Sequence, residues 1–558
     1  MYSIHHLLTY FSIVLLLPAM LKSQQYQMPL DAPWDISASF GEARNNHYHA
    51  GLDFATGGKS LPVKSIADGF VERIKISSGG YGLALYIRHP DQNISVYGHL
   101  DHFTGEIAKK VLEIQEHNNF YEFDQYFEKH ELPVKKGQIV AYSGNTGSSS
   151  GPHLHFEIRG QGFETIHNPL LFDLSIKDQI KPVISAIHII PFKNFGRVNG
   201  KNASIRIPII NGSPDPKIPI PEVDGLIGFA YEGYDGVTRA SSRSKVFKTQ
   251  LFHNEILVFE KTMDSFTFDN TRCVNGFLIY EELIKNKRKV YRCFEPVHHN
   301  STLVKTAIDK GLIHFASKNE STVKLKLSDF SGNQTMVSLK LRSAGANKIQ
   351  SSVKSKGVIP GVEEVLKFED GSIFFPSNAL FDTTEILAKK NGNIYNIGHH
   401  TIPVNESFTL NLKLPAHLAK TDTSKIILKI ISGSSSKYLR GEIVDGYFKT
   451  KANVFGQFEL IVDQDPPLIT FSRPKKIPAG TLAFATGRAN FAVSDKLSGI
   501  SHYSASLNGK WILLPYDAKT GKMWVDFPVN LPKGTHELII KVKDKCANET
   551  VLKQNFSK

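Results

Sequence analysis

Cysteine is nearly absent: the 558 residues hold three, Cys273, Cys293 and Cys546. So few exclude a disulfide-stapled scaffold and a cysteine-only metal cluster, so any metal must be held by histidine and carboxylate. Cys273 and Cys293 could join in one disulfide if the chain enters an oxidising compartment, while Cys546 has no obvious partner. Acidic and basic residues are missing altogether from residues 1–21, where Leu7–Leu17 forms an apolar stretch followed by Pro18, Lys22 and Ser23. That pattern predicts an export leader over 1–23, cut near Ser23. Its start carries only His5 and His6, and Leu21 is bulky for a cleavage site, so an uncleaved leader acting as a membrane tether is the alternative. No other apolar run is long enough to span a bilayer, which predicts that the remainder is soluble and exported. Acidic charge is in deficit, 53 residues against 66 basic, net +13. The excess favours anionic partners, and export makes a cell-envelope polymer the expected one and excludes nucleic acid.

Hydrophobic residues at 41% and charged residues at 21% exclude a disordered tail and a coiled coil. At about 100–200 residues per domain the length predicts three to five domains. Residues 24–173 contain short β-type runs broken by Gly, Pro and Asn. Phe70–Ile76 and Leu83–His89 read as strands, and the turn Pro90-Asp91-Gln92-Asn93 leads into Ile94–Tyr97. The fold class is therefore mainly β, with an antiparallel sheet. One stretch, about 104–133, breaks the pattern: Ile107, Val111 and Ile114 share one helical face and Phe120, Phe123 and Phe127 another, which predicts an insertion of one or two helices.

From Lys181-Pro182 onward β-type runs alternate with turns. Val323–Asn333 and Leu538–Asn548 resemble each other, each an apolar strand entering an Asp-x-x-Gly/Ala-Asn turn. This repeated closing hairpin predicts Ig-like β-sandwich modules over 180–343 and 466–558, with a further β-rich module over 350–462 between the linkers Ser343–Gly357 and Asp463–Pro467. Each Asp/Asn turn alone offers too few oxygens for calcium and reads as an ordinary turn held by Asx hydrogen bonds. The lysines at 285–289 and Lys475-Lys476 read as solvated faces that add diffuse attraction to an anionic polymer.

Three separated pieces of 24–173 carry histidines: His49-Ala-Gly-Leu-Asp53, Tyr97-Gly98-His99-Leu100 and His153-Leu-His155-Phe-Glu157. In the last, strand alternation puts His153, His155 and Glu157 on one face, the two imidazoles ~7 Å apart. One can then bind a metal while the other reaches a water on it. Catalytic zinc takes three N or O ligands and an open fourth position. His49, Asp53 and His155 make such a set; two neutral imidazoles and one carboxylate leave the site at net +1 and acidify a coordinated water to a pKa of about 7. His99 and His153 remain to act as general base and as donor to a developing oxyanion. His47 reads as a neighbour or surface residue outside the ligand set.

These pieces, with Val63–Val71, Gly80-Tyr81-Gly82, Lys136-Gly137-Gln138 and Gly144–Glu157, resemble the lysostaphin-type (LytM-like) zinc metallopeptidases over about residues 41–170. The resemblance implies an antiparallel β-domain with a groove and endopeptidase action on peptidoglycan peptides. It implies one Zn2+ on His49, Asp53 and His155, with His99 and His153 catalytic. Every core position is kept, whereas degenerate relatives that activate other hydrolases have lost ligands. The order of modules resembles large exported members from Bacteroidetes-type Gram-negative bacteria, which implies the periplasm or outer envelope. Two alternatives are a catalytically silent scaffold regulating another wall hydrolase, and an adhesin-like surface protein working through residues 180–558. The insertion of about 30 residues after His99 departs from shorter relatives; it either borders the groove and limits entry, or packs on the outer sheet.

Overall fold

The computed structural model describes residues 26–31, 35–236, 246–345, 357–472, 483–484 and 487–558. The leader, Lys475-Lys476 and most of the Ser343–Gly357 linker lie outside the described residues. Among the described residues no helix is long and apolar enough to cross a membrane. The chain is mainly β, with antiparallel sheets in the first part and further β modules behind it.

Strand alternation explains the first sheet. Its strands run in the order Asp35–Ala38, Leu52–Ala55, His153–Arg159, Ile94–Phe103, Leu83–Arg88, Gly69–Ile76, Pro133–Val134, each neighbour antiparallel. Leu154, Phe156 and Ile158 turn inward from His153–Arg159 and pack with Leu52, Phe54, Leu85 and Tyr97 in one core. Each wholly buried large side chain there contributes about 1.5–3 kcal/mol. The opposite face of the same strand is left to carry His153 and His155. Gly51 is required where the chain enters Leu52–Ala55, because a Cβ would stand 2.2 Å from the Phe156 carbonyl oxygen.

The inserted segment holds one helix, Gly105–Asn118, which buries Ile107 and Val111 and stops at Asn119 in the left-handed region, φ 51°. Of the one or two helices expected, one is formed. Phe123–Tyr126 is instead a strand that pairs with Gly69–Ile76, anchored by a bidentate Arg73–Asp124 pair, both contacts 2.6 Å. Aromatic residues suit an exposed sheet edge as well as a helix face, and the unpaired edge of Gly69–Ile76 supplies the ladder.

Behind it, an 11-stranded sheet built on Val183–Val198 and Glu222–Tyr234 encloses a second core. That core also takes in Phe40, Tyr48 and Ile166 of the first part. Ser265–Thr267, which follows Ile256–Thr262 of the second sheet in the chain, pairs with Thr165–His167 of the first. Next come two five-stranded sheets around Ile373, Phe408 and Phe458, then a four- and a five-stranded sheet around Phe491 and Val542. This last module folds back onto the insertion. Phe120 stacks on His502 with ring centres 5.0 Å apart, the Tyr503 hydroxyl donates to Glu122 Oε1 at 2.7 Å, and the Lys519 ammonium donates to the Asn145 carbonyl. Cys273 and Cys293 are both buried in the second core and no disulfide joins them.

Candidate metal centre

Register brings the histidine pieces together. His155 pairs with Asp53 on one side and Gly98 on the other, and His153 pairs with Ala55, so adjacent strands deliver their side chains to one point. The third contributor, His99, sits at a register shift between Leu83–Arg88 and Ile94–Phe103. Its φ is 58°, a left-handed conformation costing about 1–3 kcal/mol that a non-glycine residue keeps only where its surroundings enforce it. Its amide donates to the Tyr81 carbonyl at 2.8 Å, which holds the bulge and turns the ring into the groove.

Three ligand-type atoms converge. His49 Nε2 lies 3.0 Å from Asp53 Oδ1 and 3.1 Å from His155 Nδ1, and His155 Nδ1 lies 2.8 Å from Asp53 Oδ1. Atoms bound tetrahedrally to one zinc are about 3.3 Å apart, so the triangle needs only slight expansion to hold the ion. The tautomers agree. His49 donates from Nδ1 to the Ser39 carbonyl at 2.9 Å, and His155 from Nε2 to Glu157 Oε1 at 2.8 Å, which leaves His49 Nε2 and His155 Nδ1 with lone pairs for a cation. Asp53, His49 and His155 are all buried. Burial opposes charge on Asp53, yet His49, His153 and His155 hold its carboxyl well below the ordinary range. Burial likewise opposes charge on His155, but hydrogen bonds to Asp53 and Glu157 raise it to about 9, so a cation that takes its Nδ1 lone pair does so by displacing a proton. Two nitrogens and a carboxylate sharing one point is a donor set that fits a divalent metal.

The outer contacts of this triad come from residues to which the sequence assigned no role. Glu157 is fully buried and takes Arg159 Nε at 2.6 Å and the Tyr81 hydroxyl at 2.5 Å. Arg44 donates to Asp53 Oδ2 at 3.1 Å, leaving Oδ1 to the metal position. Alternation already puts Glu157 on the face of His153 and His155, and carried one step further it finds Arg159 as well.

His99 and His153 stand beside the triad, ring centres 4.8 Å apart. His99 donates from Nδ1 to the Thr146 carbonyl at 2.8 Å, so its Nε2 lone pair faces the groove. Burial and the neighbouring His155 and His153 lower it to about 3. His153 donates from Nδ1 to the Gly151 carbonyl at 2.8 Å and turns Nε2 toward Asp53 Oδ1 at 3.5 Å. His47 lies exposed at the groove rim, its Nδ1 3.0 Å from the Asn45 carbonyl oxygen.

All these groups line one groove of about 1280 Å³, whose walls include Tyr81, Arg73, Lys75, Arg159 and the Ser148–Pro152 loop. Its far wall is Phe268, from the second module, lying 4.4 Å under the Arg159 guanidinium. No residue of 104–133 lines it. The insertion packs on the outer sheet and reaches the groove only indirectly, by pairing Asp124 with Arg73 and Lys75.

Compared with known proteins, residues 47–116 and 109–167 match the profile described as Peptidase family M23, and residues 363–463 match one described as a Zu5-like domain. Over 152 residues the chain is 34% identical to an uncharacterized metalloprotease of Haemophilus influenzae, covering 26% of each protein. Over 114 residues it is 33% identical to the DD-carboxypeptidase/endopeptidase Mpg of Neisseria meningitidis, covering 20% of each. Over 137 residues it is 35% identical to the murein hydrolase activator NlpD of Salmonella dublin, covering 25% of this chain and 29% of that one. The chain thus spans about a quarter of the length of the curated relatives it matches.

Proposed function

We propose that this chain, whose residues 47–167 form a LytM-like M23 peptidase domain, is an exported zinc metalloendopeptidase that hydrolyses amide bonds in peptidoglycan cross-link peptides. The observation that supports this most is the convergence of His49 Nε2, Asp53 Oδ1 and His155 Nδ1 within 3.1 Å, with His99 and His153 beside them in one groove. Zn2+ held there would supply Lewis acidity, lowering the pKa of water to about 7 and polarising the scissile carbonyl. His99, with Nδ1–H committed to Thr146, presents Nε2 to take a proton from the attacking water. His153, with Nδ1–H committed to Gly151, donates at Nε2 to the carbonyl oxygen only as an imidazolium. The later β modules hold the peptidase domain at the wall, and the net charge of +13 supports attraction to an anionic polymer.

The test is digestion of purified peptidoglycan with zinc-loaded full-length protein. One zinc per chain and new peptide termini are expected, both lost in His155→Ala. Intact muropeptides with zinc bound would overturn the enzyme reading and favour a regulator of another hydrolase, the role in the name of the Salmonella relative.

A further inference from the structure

Away from the histidine groove, two clusters of three aspartates repeat one design. Asp178, Asp235 and Asp329 meet in the second module and Asp463, Asp495 and Asp544 in the last, with one oxygen from each carboxylate within 4.8 Å of the others. Asp178 and Asp463 each stand four residues before a proline, Pro182 and Pro467, at the entrance of their module. Several surrounding hydrogen bonds correspond. Asn333 donates to the Asp178 carbonyl and Asn548 to the Asp463 carbonyl, both at 3.1 Å. Asp329 Oδ1 and Asp544 Oδ1 each accept from the asparagine amide at 2.8 Å. Thr335 and Thr550 donate to the carbonyls of Pro182 and Pro467.

Backbone amides and the asparagines satisfy some of these oxygens, but not all of them. Asp235, 3% exposed, and Asp463, 1% exposed, each leave Oδ1 with no hydrogen-bond partner, as Asp178 leaves Oδ2. The charges acting on Asp235 are those of Asp178 and Asp329, and those raising Asp495 are Asp463 and Asp544. Burial and this repulsion push Asp178 up to about 6 and Asp235 up to about 7. Three carboxylates buried together with orphaned oxygens are costly unless protons or a cation neutralise them, and a divalent cation relieves the repulsion while keeping all three ionised.

We propose that the Asp178–Asp235–Asp329 and Asp463–Asp495–Asp544 clusters are two calcium sites, each tying the entrance segment of its β module to the closing Asp/Asn turn. All-oxygen donors select a hard cation over zinc. An irregular set of carboxylate oxygens drawn from three separate segments suits calcium's flexible geometry better than the near-ideal octahedron magnesium demands. The turn alone is too poor in oxygen; the distant Asp178, Asp235, Asp463 and Asp495 complete it.

The test uses zinc-loaded, full-length protein stripped with a calcium chelator, then dialysed against calcium with the bound metal counted. Two calcium ions per chain are expected, one in Asp235→Asn, one in Asp495→Asn and none in the double variant. His155→Ala keeps both, which separates this result from the fate of the peptidase reading. Saturating calcium should raise the melting temperature of the wild type by roughly 5–10 °C. Without calcium the asparagine variants should melt at or above the wild type, because like charge has been removed. Absence of bound calcium at millimolar concentration overturns the proposal. So does magnesium bound in its place, or variants that melt lower by the same amount with and without calcium.

Discussion

Glu157 sits two residues after His155 on the same strand face and holds its Nε2 at 2.8 Å, while itself fully buried between Arg159 and Tyr81. A carboxylate in this position fixes which imidazole nitrogen is free and strengthens it as a ligand. Glu157→Gln keeps the shape and removes the charge. Zinc affinity, measured by chelator competition, should fall roughly 10–100-fold with the fold retained; an unchanged affinity would remove Glu157 from the centre.

His99→Ala separates metal binding from chemistry. The ligand triangle does not include His99, so zinc stoichiometry should be unchanged while muropeptide release falls roughly 10²–10⁴-fold. A loss of metal in this variant would make His99 a ligand or scaffold residue.

Docking of the last module on the insertion depends on the Phe120–His502 stack and the Tyr503–Glu122 hydrogen bond. Phe120→Ala combined with Tyr503→Phe should weaken it by about 1–3 kcal/mol. Amide exchange should then accelerate roughly tenfold or more around residues 115–123 and 500–505, with bound zinc unchanged. Equal exchange rates in variant and wild type would show that the contact carries no docking energy.

Lys261 is 2% exposed in the second core, its ammonium without a hydrogen-bond partner and 4.4 Å over the Phe277 ring. Burial lowers it to about 8. Between pH about 8 and about 10.5 the unfolded chain holds the proton that the folded one has released, so stability rises with pH across that window. Lys261→Met should abolish the rise and be more stable at pH 7 by about 3 kcal/mol. Urea unfolding of both proteins across the window is the measurement.

His153, His155 and Glu157 were legible as one face because strand alternation is local and holds whatever the rest of the chain does, while His49 and Asp53 joined His155 through ligand chemistry and the family resemblance. The sheet itself was legible for the same reason. Phe120, Phe123 and Phe127 fit a helical repeat equally well, and only the free edge of Gly69–Ile76, a long-range feature, made part of that segment a strand. Phe268 could not be read as a groove wall, since it reaches the site through the pairing of Ser265–Thr267 with Thr165–His167. The aspartate clusters hid for a similar reason: each local turn shows one carboxylate, and the other two come from remote positions.

That pairing makes the peptidase domain inseparable from its neighbour. Cutting the chain between the first and second parts would strip a strand from Thr165–His167, bare Phe40 and Tyr48, and open the groove at Phe268. An exposed edge beside uncovered aromatics is a template for aggregation. The smallest excisable unit with an intact groove therefore continues through the second core, to about residue 345, and a fragment ending near residue 173 should be recovered as insoluble protein.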